Sequence, residues 1–162
     1  MAVKKKNLSD VSTTLPSAKK MRFAIVVSDW NSDVTNALLS GANGLLLQCG
    51  AEEANIQTIH VPGSFELCVA AEWMARKNAF DAIICLGCVI QGETRHFDFI
   101  SQAVATGIAQ VGINHAIPVI FGVLTTNNME QAQARAGGKH GNKGVEAAAT
   151  AILMVSQKKL LR

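Results

Sequence analysis

The sequence predicts a three-layer α/β/α domain built on a four-stranded parallel sheet. Three observations predict it. Short β-branched apolar runs alternate with longer amphipathic stretches along the chain. The runs are almost continuously apolar, as strands covered on both faces must be. No linker interrupts the alternation, and 162 residues suit one domain of ordinary size.

The strands are expected at residues 23–27, 56–61, 82–90 and 117–123, with the sheet open to extension by an N-terminal strand. Helix follows the first strand from Asp33 to Cys49, with Val34, Leu38, Gly41 and Leu45 on one stripe. Gly41 and Gly44 cost roughly 1 kcal/mol each against Ala inside that helix, so a close approach to the sheet is expected to require them. A second helix runs from Ser64 to Arg76 and a third from about Thr94 to Gly112, with Thr94 as its expected N-cap. Pro118 has no ladder donor, which points to a strand start or an edge. Asn128 and Gln131 are spaced as a capping box for a helix over residues 128–136, and a long helix closes the chain from about Lys143 to Leu160.

Apolar residues make up 49% and charged residues 17%, which excludes a disordered chain. The charge is unevenly placed. Six basic residues against Asp10 give residues 1–22 a balance of +5, so a total of +3 leaves −2 for the rest. A body of that charge offers a phosphate backbone no footprint, so neither nucleic acid nor, lacking an apolar span of eighteen residues, a membrane is an expected partner. Residues 1–21 form a basic tail, expected to be disordered or draped on a neighbouring subunit, ahead of a single domain over residues 22–162. No apolar run follows the tail's lysines, so a soluble, cytoplasmic protein is expected.

Cys85 and Cys88 have the spacing of a redox pair but fall in a strand, where positions three apart face opposite ways. They are expected to be buried and unpaired. Neither they nor the histidines offer a zinc ligand set, so no metal is expected.

In an open parallel sheet, ligands bind beyond the carboxyl ends of the strands. That rule selects Ser28-Asp29-Trp30-Asn31, Val61-Pro62-Gly63-Ser64-Phe65-Glu66, Gln91-Gly92-Glu93-Thr94-Arg95-His96 and Leu124-Thr125-Thr126-Asn127. Trp30 follows a strand already rich in core residues, so its ring is free either to stack on a planar ligand or to pack at a sheet edge. Gly92-Glu93-Thr94 leads into a helix whose first N–H groups have no internal partner, a place suited to a phosphate and equally to an ordinary turn. His96 follows in the first turn, where an imidazole can exchange protons near neutral pH. The stretch Arg135 to Gly144 is rich in glycine and base and suits an anion. It lacks the ending of a Walker loop, and no GxGxxG occurs.

Together these segments resemble the lumazine synthases. The resemblance runs from about Arg22 to the C-terminus and rests on Val61 to Glu66, on Gly92-Glu93-Thr94-Arg95-His96-Phe97-Asp98, on Phe121-Gly122-Val123-Leu124-Thr125, and on Arg135 to Gly144. It implies a flavodoxin-like sandwich. It also implies condensation of a ribitylamino-pyrimidine with a dihydroxybutanone phosphate, without a cofactor. By the same resemblance His96 is the proton-transfer residue. Trp30, in place of the commoner Phe, is the stacking ring. Asn31, Ser64, Phe65 and Glu66 hold the pyrimidine and its ribityl chain, and Val89 and Ile90 line the ring pocket. Gly92, Glu93 and Thr94 bind the phosphate and Arg135 clamps it. Glu93 stands where Ala is frequent, so its backbone N–H is expected to serve while its carboxylate turns outward.

Family members build each site between neighbouring subunits of a pentamer, the positions of Phe121, Arg135 and Lys143 coming from the adjacent chain. The uninterrupted loop over residues 137–144 resembles that of members forming 60-subunit shells, and the family implies riboflavin synthase as a further partner. Two other functions fit parts of the sequence: a pentameric riboflavin synthase of archaeal type, which would need no phosphate clamp, and a flavin-binding shell without catalysis, which Trp30 would suit.

Overall fold

The computed structural model describes Ser9 and residues 14–161. Four parallel strands, β1 (Phe23–Ser28), β2 (Ile56–Val61), β3 (Ala82–Ile90) and β4 (Val119–Thr126), pair in the order β2-β1-β3-β4. Helices α1 (Ser32–Gln48) and α5 (Lys143–Leu160) cover one face, and α2 (Leu67–Arg76) and α3 (His96–His115) cover the other. This is a three-layer flavodoxin-like fold. Its strand order reverses between β1 and β3, where folds of this kind open a ligand crevice.

The β1 sequence shows why both layers form. Phe23, Ile25 and Val27 join the core under α1 and α5, while Ala24 and Val26 join the core under α2 and α3. A strand alternates sides, so a doubly covered strand must be apolar throughout. The same alternation sends Cys85 to one core and Cys88 to the other. Both thiols are buried and unpaired, and burial raises the Cys88 pKa to about 11 and that of Cys85 further.

Several local expectations shift. Pro118 stands just before β4, an edge strand, and its carbonyl accepts from Ile83 N–H at 2.9 Å. Residues 64–66 form a separate 3-10 turn ahead of α2. The third helix starts at His96, with Arg95 rather than Thr94 at the N-cap; the Thr94 hydroxyl instead accepts from His96 N–H at 3.4 Å. Asn128 caps the short helix α4 (Met129–Ala134), accepting from Gln131 N–H at 2.9 Å. The returning bond from Gln131 goes one residue further than a capping box requires, to Asn127 N–H.

Residues 136–144 do not continue α4. They fold back as a small antiparallel pair, β5 (Ala136–Gly138) and β6 (Gly141–Asn142), before α5. Asn142 accepts from Gly144 N–H at 2.8 Å and Val145 N–H at 3.2 Å, capping α5, and donates to the Ala37 carbonyl at 3.0 Å. Its side chain occupies the space over Gly41, where a Cβ would lie 2.6 Å from Oδ1. The close approach needing Gly41 is therefore to this cap and not to the sheet. Nothing lies within 4 Å of a Cβ built on Gly44, so no contact explains that residue.

Ala18 and Met21 are buried in the α1–α5 core, and Ala18 N–H donates to Cys49 O at 2.9 Å, so core packing begins ahead of residue 22. Residues 14–22 contain no strand. The expectations for most of the tail, including an added N-terminal strand, lie outside the described residues. No helix among the described residues is long and apolar enough to cross a membrane.

Candidate active site

The carboxyl ends of β1, β2 and β3 open on a cavity of about 490 Å³. Its walls come from Trp30 after β1, from Gly63 to Glu66 after β2, from Cys88 to Ile90 on β3, and from Gly92, Thr94 and His96 at the start of α3. Of the predicted site residues, Trp30, Ser64, Phe65, Glu66, Val89, Ile90, Gly92, Thr94 and His96 are thus brought together. Trp30 is 72% exposed and Phe65 55%, so neither ring serves the core. Phe97, next to His96, and Ile100, one turn along α3, also line the cavity. Phe97 stands in the segment that carries the family resemblance but is given no role there, and Ile100 looks like an ordinary helix residue.

Two relationships give this half-site its shape. Gly87 has no side chain where a Cβ would meet Ser64 Oγ at 2.7 Å and Leu67 Cδ1 at 2.9 Å, which lets the 64–66 turn lie against β3. The Asn31 amide donates to the Cys88 carbonyl at 3.0 Å across the β1–β3 crevice. Asn31 has φ 61°, a conformation that non-glycine residues adopt chiefly when they are Asn or Asp. Its amide therefore ties the crevice together, and Asn31 is not among the cavity walls. Glu93 is exposed and also outside the walls.

Arg135 and Lys143 lie elsewhere. A second cavity of about 520 Å³ opens beyond β4, lined by Thr126, Asn128, Glu130, Gln131, Ala134, Arg135, Lys139 and His140. It shares no wall residue with the first. Arg135 donates through Nη1 to the His140 carbonyl and through Nη2 to Glu146. Glu146 is 5% exposed, and Lys143 Nζ and Ser9 Oγ also reach its carboxylate, at 3.4 and 2.9 Å. Burying a carboxylate is costly unless it is paired. Here a guanidinium, an ammonium and a hydroxyl meet that cost together. Glu146 went unnoticed in the sequence, where an acidic residue in a first helical turn looks like a dipole partner. Phe121, half-buried on β4 opposite Cys85, faces neither cavity.

Fold and crevice together define a doubly wound α/β protein with a small-molecule site at its switch point. Residues 20–159 match the family model of 6,7-dimethyl-8-ribityllumazine synthase. Curated proteins of that name are similar over nearly the whole chain. The one from Cytophaga hutchinsonii is 57% identical, over 94% of this chain and 96% of its own. The one from Porphyromonas gingivalis is 47% identical over 99% and 100%, and that from Flavobacterium johnsoniae 50% identical over 95% and 82%. The chain belongs to the 6,7-dimethyl-8-ribityllumazine synthase family and is an enzyme.

Proposed function

We propose that this enzyme condenses 5-amino-6-(D-ribitylamino)uracil with 3,4-dihydroxy-2-butanone 4-phosphate to give 6,7-dimethyl-8-ribityllumazine, phosphate and water, the penultimate step of riboflavin biosynthesis. One observation carries the reading: an exposed indole, an exposed imidazole and the first turn of α3, at the positive end of its dipole, line a single crevice. The pyrimidine stacks on Trp30 beside Phe65. Ser64 and Glu66 take its polar groups and ribityl hydroxyls. The substrate phosphate sits at Gly92, the Glu93 N–H and Thr94.

The 5-amino group attacks the ketone carbon, and loss of water from the carbinolamine gives an imine. Elimination then breaks the C–O bond to phosphate, which leaves with the bonding pair. With the proton lost from the neighbouring hydroxyl-bearing carbon, this leaves an enol that tautomerises to a ketone; the ribitylamino nitrogen closes the ring on that ketone, and a further water departs. Each step moves a proton, and His96 at the crevice rim takes and returns them. Holding both substrates in one pocket supplies much of the remaining acceleration. No cofactor is required.

Arg135 and Lys143 complete the site from a neighbouring chain in a homopentamer, and twelve pentamers close a 60-subunit shell in the cytoplasm, with riboflavin synthase as a partner. The separation of the two cavities on one chain supports this arrangement, as do Trp73, Phe99 and Ile113, large apolar side chains left exposed on α2 and α3. Incubating the purified protein with both precursors and following lumazine absorbance tests the reaction. Intact assemblies that bind flavin but yield no lumazine would instead identify a binding shell. Sedimentation of the same sample reads the assembly size.

A further inference from the structure

We infer that Asp29 and His60 form a positioning pair that fixes the Trp30 ring at the crevice rim. The inference rests on the reading of Trp30 as a stacking platform and adds two residues to it. His60 Nδ1 donates to Asp29 Oδ1 at 2.8 Å, joining the loop after β1 to the last turn-ward residues of β2. Main-chain bonds run beside it: Asp29 N–H donates to Val61 O at 2.8 Å and Trp30 N–H to Pro62 O at 3.0 Å. The β1–β2 ladder, whose register ends at Ser28 opposite Val61, is thereby prolonged past both strand ends.

Side-chain alternation gives each residue its task. Val26 on β1 and Ile59 and Val61 on β2 face the α2–α3 layer, as does the crevice; Val27 faces the α1–α5 layer. Continuing that alternation, Trp30 falls on the crevice side, and Asp29 with His60 on the opposite side. The pair is a buttress behind the ring. On the other flank Asn31 is tied to Cys88 O, so the residue bearing the indole is held between β2 and β3.

Stability does not account for the pair. Its side chains are 61% and 48% exposed, and a contact so placed adds little to stability. What it does constrain is a loop whose only large side chain is 72% exposed. A stacking ring held in place costs less ordering entropy when a planar ligand arrives.

The test uses the full-length assembly in a Trp73→Phe background, which leaves Trp30 as its one indole. Asp29→Ala and His60→Leu are expected to enlarge the fast component of the indole anisotropy decay. They should raise the KM for the ribitylamino-pyrimidine roughly threefold to tenfold through lost preorganisation, with kcat within about twofold and the thermal midpoint unchanged. His60→Asn, whose amide nitrogen stands near the Nδ1 place, should restore both readouts. Unchanged decay in Asp29→Ala and His60→Leu overturns the inference, whatever KM does. An altered decay with an unchanged pyrimidine KM supports the positioning pair and overturns the platform reading of Trp30, so the two failures are distinguishable.

Discussion

Nη2 of Arg135 lies 2.9 Å from one carboxylate oxygen of Glu146 and 3.0 Å from the other, while Nη1 holds the His140 carbonyl. The guanidinium is thus anchored on its protein side with donors left over. Arg135→Ala should raise the KM for the phosphate substrate roughly tenfold or more, the worth of a charge-assisted hydrogen bond, and leave the pyrimidine KM alone. Steady-state kinetics with each substrate varied checks this. An unchanged phosphate KM would remove Arg135 from the site.

Asn142 and Gly144 join α1 to α5. Asn142→Ala removes two cap bonds and the bond to Ala37 O, and should cost about 1–2 kcal/mol. Gly144→Ala should do worse, because its Cβ would overlap the Leu38 carbonyl, a rigid backbone group. Overpacking of that kind costs about 1–3 kcal/mol or prevents folding. Thermal denaturation of both variants gives the comparison.

The CxxC spacing should be chemically silent. Cys85 and Cys88 face opposite sides of the sheet, and burial raises the Cys88 thiol to about 11 and the Cys85 thiol beyond it. Thiolate is the reactive form, so neither should be alkylated near pH 8 until the chain is unfolded. Mass spectrometry after glutathione oxidation should find no Cys85–Cys88 disulfide.

Glu72 accepts from Arg76 Nε at 2.7 Å and from His115 Nε2 at 2.8 Å, and these partners, Arg76 first, hold its carboxyl below the ordinary 4.5. A depressed carboxyl stabilises the fold above that value and loses its contribution as pH falls through the native pKa. The effect should be small because the group is partly exposed. Thermal midpoints of the parent and Glu72→Gln should differ near neutrality and converge as pH falls through the lowered native pKa of that carboxyl.

Much of this molecule can be read from its sequence, for identifiable reasons. β1, β2 and β3 are dense β-branched runs with no competing pattern, and the carboxyl-end rule then picks out Trp30, Phe65 and His96 without further help. The β5–β6 pair has no alternating hydrophobes to announce it, since five residues rich in glycine form it. Asn142 and Glu146 escape notice because their partners are about a hundred residues away or fixed by tertiary packing. The Asp29–His60 contact depends on strand register, which no local pattern encodes.

Mixed assemblies test the shared site most directly. One chain carries Trp30→Ala with His96→Ala, both exposed positions, and the other carries Arg135→Ala. If each pocket takes one half from either neighbour, equal co-expression restores about a quarter of the pockets, since each half is intact in about half the chains. Lumazine formation at low phosphate substrate should then recover to about a quarter of the parent kcat/KM. Activity no greater than the mean of the two separate preparations would mean that each chain builds its pocket alone.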